Sequence, residues 1–280
     1  RRTNPAQLLA SAFLIIIFFG TILLMVPRST LDGVTISMVD ALFVSTSAVC
    51  VTVLSPVDIA ATFSTEGLIV IALLVQIGGL GVMTITSFFA LFFMGNTGLY
   101  DQFALRDMVW SDTISSLMST LLYILGFTLG IEAIGALSIW WSIHGTLDMT
   151  LTEELLFSVF HSISAFCNAG FDILSENSLM PYVGDIAVNV IIMLLIIIGG
   201  LGFTVWFDVI DIFKKTKKHG FSVRMWFLNL SLHSKIVLTV TPVLILGGAV
   251  LFFAFEYSNP DTLGNLPFGQ KVLASLFQSV

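Results

Sequence analysis

The sequence is short of charge. Only 10% of its 280 residues are Asp, Glu, Lys or Arg, against 56% that are hydrophobic, whereas a soluble globular domain carries roughly 25% charged residues. That deficit excludes an ordinary soluble domain and places the chain in a bilayer. Cysteine is scarce too. Cys50 and Cys167 make no disulfide framework, and both fall late in apolar segments, where small packed side chains are expected. There is no Cys/His spacing for a metal, no phosphate-binding P-loop and no dinucleotide fingerprint. The pattern therefore predicts no enzyme, no organic cofactor and no nucleic-acid partner.

What is present is apolar length. Charge is absent from 3–27, 67–100, 113–131, 186–207 and 236–255. Each stretch is near or above the ~20 residues that carry a helix across a hydrocarbon core, so five spans are predicted. The first apolar core is too long for a secretory signal and no small-residue cleavage pattern follows it, so it reads as a retained helix. With the N-terminus cytoplasmic, Arg1, Arg2, Arg106, Lys214, Lys215, Lys217, Lys218, Arg224 and Lys235 fall inside, and only Arg28 and Lys271 outside. This is the positive-inside bias. The outer segments collect acids instead, among them Asp40, Asp58, Glu154 and Asp172, and an acidic entrance concentrates cations.

Two charge-free segments, 41–57 and 155–171, are too short to cross and contain Ser, Thr, His and Asn. They suit re-entrant segments better than spans. Aligning them exposes a repeat. Ser45-Thr-Ser-Ala-Val-Cys50 matches Ser162-Ile-Ser-Ala-Phe-Cys167, and Phe43/Ser45, Phe160/Ser162 and Phe277/Ser279 recur at an interval of 117 residues. The following spans repeat as well, Ile77-Gly-Gly-Leu-Gly81 returning as Ile198-Gly-Gly-Leu-Gly202. Small residues there permit close helix packing.

The expected fold is an all-α membrane protein made of parallel helix–pore loop–helix repeats. The first unit covers 1–95, a cytoplasmic linker 96–112 and the second unit 113–212. A basic cytoplasmic loop, 213–235, then leads to an incomplete third unit, 236–280, holding a first helix and the start of a pore helix. Non-helical backbone at membrane depth is tolerated only where it is buried in protein or lines water. Parallel copies bring their turns to one axis, where carbonyls can replace the hydration shell of an alkali cation. Each short helix also aims its negative C-terminal end there.

Val49-Cys-Val-Thr52, Ala165-Phe-Cys-Asn-Ala-Gly-Phe171, the two Ile-Gly-Gly-Leu-Gly segments and Glu256-Tyr-Ser-Asn-Pro260 resemble the Trk/Ktr/HKT superfamily of potassium transporters, and most of all the membrane subunit of bacterial Ktr systems. The resemblance implies four units around a pseudo-fourfold pore axis. The filter would be built from the backbone carbonyls of Cys50, Val51, Thr52 and Val53 and of Cys167, Asn168, Ala169 and Gly170, with K+ (or Na+) bound there only. It further implies a multi-pass place in the bacterial cell membrane, contact with lipid, a homodimer and a cytosolic nucleotide-binding regulatory ring. On that pattern the third loop is expected directly after Val280, and the two and a half units present do not close a four-sided pore.

One position departs from the pattern. The family has glycine in each loop, and Val53 stands where the second unit has Gly170. Two outcomes are open: an ordinary φ with an imperfect carbonyl, or weakened potassium selectivity, since members lacking this glycine can resemble sodium carriers. Among other residues, Glu132 is an intramembrane carboxylate facing protein interior or water, with a structural or pore-adjacent role weighed against proton coupling. Asp40 is expected to start the first pore helix, or to attract cations. Gln76 and Asn189 are expected to bond neighbouring helices, and His161 has no partner histidine for a metal. The basic run Lys214-Lys-Thr-Lys-Lys218 marks topology and touches anionic lipid. Two other readings remain: a sodium-coupled secondary transporter, which would prefer inverted repeats, and a non-conducting fragment of the same family.

Overall fold

In the computed structural model the described residues are 5–81, 117–145, 150–174, 178–218 and 222–280. They fall into two compact bodies, Arg1–Leu179 and Met180–Val280. The linker 96–112 lies outside the described residues. Apart from one isolated bridge, Thr30 to Phe63, the described secondary structure is helical.

The first body holds α1 (Pro5–Leu24), α2 (Met38–Cys50), the short α3 (Ile59–Thr62), α4 (Thr65–Gly79), α5 (Leu117–Ile143) and α6 (Leu151–Phe166). The helices α2 and α6 are the two short apolar segments. Both begin earlier than their charge-free cores because their first turns are polar by design. Ser37 caps α2, its Oγ accepting from the Asp40 amide at 3.1 Å and donating to the Asp40 carboxylate at 2.7 Å. Thr150 and Glu153 form a reciprocal capping box on α6. Each device satisfies backbone N–H groups that a helix start leaves free. Asp40, Glu153 and Glu154 thus occupy first turns, where negative charge suits the helix dipole.

Each pore helix is bolted to the long helix before it by one serine. Ser45 Oγ donates to the Ile17 carbonyl at 2.8 Å, and Ser162 Oγ to the Glu132 carbonyl at 2.7 Å. In the second body, where α10 (Leu232–Glu256) packs on α11 (Phe268–Ser279), Ser279 Oγ donates to the Ile245 carbonyl at 2.6 Å. Three residues after each acceptor stands a glycine: Gly20, Gly135 and Gly248. A Cβ on Gly20 would collide with Ser45 Oγ, and one on Gly248 with Ser279 Oγ. The glycine clears the path of the hydroxyl. The 117-residue interval is therefore also an interval of hydrogen bonds.

A second clasp holds the starts of α6 and α11. Glu154, near the start of α6, bonds His144 and Gly145 just beyond α5. Lys271, the residue at the same interval in α11, donates its Nζ to the Tyr257 carbonyl at 2.8 Å and lies 4.2 Å over the Tyr257 ring. The place is conserved in the architecture while the charge on it is reversed.

Of the five continuous stretches expected, 67–100 beyond Gly81 and 113–131 before Leu117 lie outside the described residues, and 186–207 is broken. Among the described residues, α5 and α10 are each long and apolar enough to cross a membrane. The helix α5 runs on past Glu132 to Ile143, well beyond its charge-free part. In the second body α7 (Ile186–Gly200) stops at its glycines and turns by 93° into α8 (Phe203–Lys218). The break sits where Gly202 takes φ +83°, and Gly81 takes φ +73° at the same place after α4. Glycine reaches this left-handed region without a Cβ penalty and ends helices for that reason. The stretch 213–235 is largely helical too, with α8 followed by α9 (Val223–Asn229). Trp226 Nε1 reaches back to the Val209 carbonyl.

Two adjacent glycines in α10 test the bolt. Gly248→Ala should lower the melting temperature of the protein in detergent by an amount equivalent to about 1–3 kcal/mol, the usual range for overpacking. Gly247→Ala, with nothing within 4 Å of its Cβ position, should be neutral or raise it, since alanine is the better helix former. Equal melting temperatures for the two variants would show that the Ser279 contact carries no weight.

Candidate ion-conduction site

The two turns that follow α2 and α6 have the same backbone. Val51 takes φ +55° and Val53 φ +67°, while Asn168 takes φ +55° and Gly170 φ +63°. The supporting hydrogen bonds repeat with them. The Val51 and Thr52 amides bond the Ala48 and Ser47 carbonyls at 3.3 and 2.9 Å, and the Asn168 and Ala169 amides bond the Ala165 and Ser164 carbonyls at 3.0 and 2.8 Å. Left-handed residues alternate with ordinary ones, a pattern foreign to a regular helix or strand.

Of the two outcomes left open for Val53, the ordinary φ is ruled out. Val53 adopts the angle that Gly170 adopts, a region where a β-branched residue is an outlier and costs on the order of 1–3 kcal/mol. The hydrogen bonds of the Val51 and Thr52 amides back to α2 hold the turn that leads into Val53. Its side chain leans on the opposite loop: a Cβ on Gly170 would lie 2.9 Å from Val53 Cγ1. One loop bears the bulk that the other lacks.

The remaining loop residues divide by exposure. Cys167 is 8% exposed, the packed small residue expected. Cys50 is exposed, contrary to that expectation, because it continues the face of α2 that carries Val39 and Phe43, both also exposed. Ser164 Oγ donates to the Phe171 carbonyl at 2.6 Å and pins the exit of the second loop. Beyond the loops a cavity of about 240 Å³ is lined by Val53, Gly170, Asp58 and Asp172, with Ser55 and Ser178. Asp172 is held by the Leu174 amide at 3.0 Å and the Ser178 hydroxyl at 2.9 Å, and Asp58 caps α3 through the Ala61 amide.

The helix α4 wedges between the two loops. A Cβ on Gly78 would collide with the Val49 carbonyl at the end of α2, and one on Gly79 with Cys167 Sγ at the end of α6. Successive glycines thus contact successive pore segments. Gln76, a turn earlier, has its amide nitrogen buried without a hydrogen-bond partner. Asn189 does not bond a neighbouring helix; its amide turns to the Tyr182 and Asp185 carbonyls at 2.6 and 2.7 Å, locking the start of α7. His161 is buried between the Phe157 and Phe160 rings, with Nδ1 on the Phe157 carbonyl at 2.8 Å. No group of three metal-ligating residues occurs among the described residues.

These features define a class: a helical membrane protein whose short helices deliver paired, matching loops to an acidic cavity. The comparisons specify it. A family model described as TrkH, cation transport protein, matches residues 2–280. The chain is 39% identical over 279 residues to the Ktr system potassium uptake protein B of Bacillus subtilis, covering 100% of this chain and 59% of that one. It is 35% identical over 280 residues to the potassium/sodium uptake protein NtpJ of Enterococcus hirae, covering 58% of that protein. The crystal structure of the potassium transporter TrkH from Vibrio parahaemolyticus superposes with a TM-score of 0.64 at 19% identity, over 100% of this chain and 52% of the other. The chain belongs to the TrkH family of cation transport proteins, and it spans a little over half the length of these relatives.

Two devices escaped the sequence reading: the serine bolts and the His144–Glu154 clasp. The bolts had a signal, a glycine 25, 27 or 31 residues ahead of each repeated serine. In the clasp, His144 Nδ1 donates to Glu154 Oε2 at 2.8 Å, the Gly145 amide donates to Oε1 at 3.2 Å, and the Trp140 ring lies 4.8 Å from the imidazole. The His144 bond, with Gly145, holds the Glu154 carboxyl below the usual carboxylate range. A depressed carboxyl stabilises the fold above its unfolded value, about 4.3 for glutamate, and the contribution fades as pH falls through the folded value. Glu154→Gln should therefore melt below wild type at pH 7, with the gap closing as the pH drops below about 4. A pH-independent gap between the two melting curves would refute the clasp as an ionic contact.

Proposed function

We propose that this chain is the pore-forming part of the membrane subunit of a bacterial potassium uptake system. Its filter lines with the backbone carbonyls of Cys50, Val51, Thr52 and Val53 and of Cys167, Asn168, Ala169 and Gly170. The single observation that carries this reading is the duplicated φ pattern of the two loops, +55°/+67° and +55°/+63°. Two independent stretches of sequence hold the same uncommon backbone, and a dehydrated alkali cation needs backbone carbonyls to replace its hydration shell. The acidic outer cavity and the acids at the starts of α2 and α6 support entry of cations from that side.

The ion is K+, with Na+ passing more readily than in a filter of glycines, and Val53 supports that addition. A β-branched residue in the left-handed region holds its carbonyl under strain, and its methyls crowd Gly170. One similar protein carries potassium/sodium uptake in its name. The N-terminus is cytoplasmic by the charge bias, and the basic end of α8 meets anionic lipid. A homodimer with a cytosolic nucleotide-binding ring completes the assembly by resemblance to Ktr systems. Transport through pore loops is favoured over a sodium-coupled carrier with inverted repeats, because the sequence repeats in the same order, long helix then short helix and turn, and reads as parallel copies.

The test is uptake by the full-length protein in a bacterium lacking its own potassium uptake. Growth in limiting potassium should be restored, and Val53→Gly should raise the K+/Na+ permeability ratio on the order of tenfold, equivalent to ~1.4 kcal/mol. Membrane-localised protein that gives no growth rescue would overturn the conduction reading. An unchanged ratio in Val53→Gly would remove the selectivity claim alone.

A further inference from the structure

A carboxylate is buried at the root of the second loop and at no corresponding place in the other units. The serine bolts set the correspondence: Ser45, Ser162 and Ser279 bond the carbonyls of Ile17, Glu132 and Ile245. Glu132 therefore stands where the other two units have isoleucine. It is 5% exposed, and charged groups at membrane depth are costly enough to be kept for a purpose. Isoleucine serves the bolt equally well, since only the main-chain carbonyl is used there. The side chain has another partner.

That partner is Cys167. Its thiol donates to Glu132 Oε1 at 3.8 Å, a long but recognisable S–H···O contact. Cys167 caps α6, and Asn168, Ala169 and Gly170 follow it directly. On its other side Cys167 is pressed by Gly79 of α4, where any Cβ would collide with Sγ. The Gln76 amide nitrogen of α4 is buried without a hydrogen-bond partner, and Thr128, one turn before Glu132 on α5, is fully buried. Three elements thus meet at the Cys167 thiol: α6, which carries it, α5 through the Glu132 carboxyl and α4 through Gly79. In the first unit the matching Cys50 is exposed and has no acid across from it.

We infer that Glu132 is a positioning residue for the second filter loop, fixing Cys167 and through it the carbonyls from Cys167 to Gly170. The pore is then supported unequally. The loop that retains glycine gains its order from a polar bracket behind it, whereas the Val53 loop is held by its own strained backbone. Discrimination between K+ and Na+ depends on Glu132 although the residue touches no ion. This rests on the reading of 167–170 as filter.

Two readouts on the full-length protein separate the inference from that reading. The first is the rate at which Cys167 is alkylated by N-ethylmaleimide in membranes, read by peptide mass spectrometry, which needs no conduction. The second is the K+/Na+ permeability ratio. Glu132→Ile, which copies the other units, should label Cys167 at least about tenfold faster and lower the ratio several-fold. Glu132→Gln keeps the shape and an acceptor for the thiol, and should stay within about twofold of wild type in both. Glu132→Ala replaces the isoleucine variant should that one fail to reach the membrane, with the same expectation. Unchanged labelling in Ile or Ala overturns the inference. So does a glutamine variant that behaves like isoleucine, because charge rather than position would then be at work. If labelling changes as expected and the ratio does not, Glu132 positions Cys167 but 167–170 is not the filter.

Discussion

The whole arrangement depends on where the backbone of a short membrane helix finds its hydrogen bonds. Hydrocarbon offers no water to a peptide group, and each unpaired one costs several kcal/mol. A helix that enters the membrane and stops must have its start capped, its end received and its flank fastened. Here each requirement is met by a specific side chain. Ser37 and Thr150 cap the starts, Ser45, Ser162 and Ser279 fasten the flanks, and the turn amides fold back on the last helical carbonyls. With all three in place, the polar turn can stand at depth without collapsing.

Glycine supplies the complementary half of the design. The serine bolt works only because Gly20 and Gly248 leave the hydroxyl a path, and α4 serves two loops at once only because Gly78 and Gly79 bring backbone against backbone. In a membrane, helices are not driven together by the hydrophobic effect, so close van der Waals approach has to supply the attraction. Other glycines then end the helix, Gly81 and Gly202 turning into the left-handed region. Packing and termination are encoded in one five-residue motif, which explains why it returns intact in the second unit.

Much of this was legible in advance because the protein repeats. The interval of 117 residues located α2, α6 and α11 and matched Val53 to Gly170 before any coordinates. The helix starts were misplaced by three or four residues for a plain reason: counting charge-free residues discards the acids that helix starts prefer, as Asp40, Glu153 and Glu154 show. The break between Gly200 and Phe203 was invisible because hydropathy treats Ile-Gly-Gly-Leu-Gly as continuous apolar sequence. A buried bracket such as Glu132–Cys167 joins residues 35 positions apart, with no periodicity to announce it.

Val53 marks the limit of what duplication imposes. Its backbone follows the template of Gly170 to within a few degrees, although valine gains nothing from that region and pays a strain of on the order of 1–3 kcal/mol for it. The hydrogen bonds from Val51 and Thr52 back to α2 outweigh the side chain's preference, so local propensity yields to the architecture around it. The side chain can be accommodated because the facing residue is Gly170: with valine in both loops, the methyls of one would occupy the space of the other. A side chain at position 170 is therefore opposed twice, by the left-handed backbone there and by the Val53 methyls across from it.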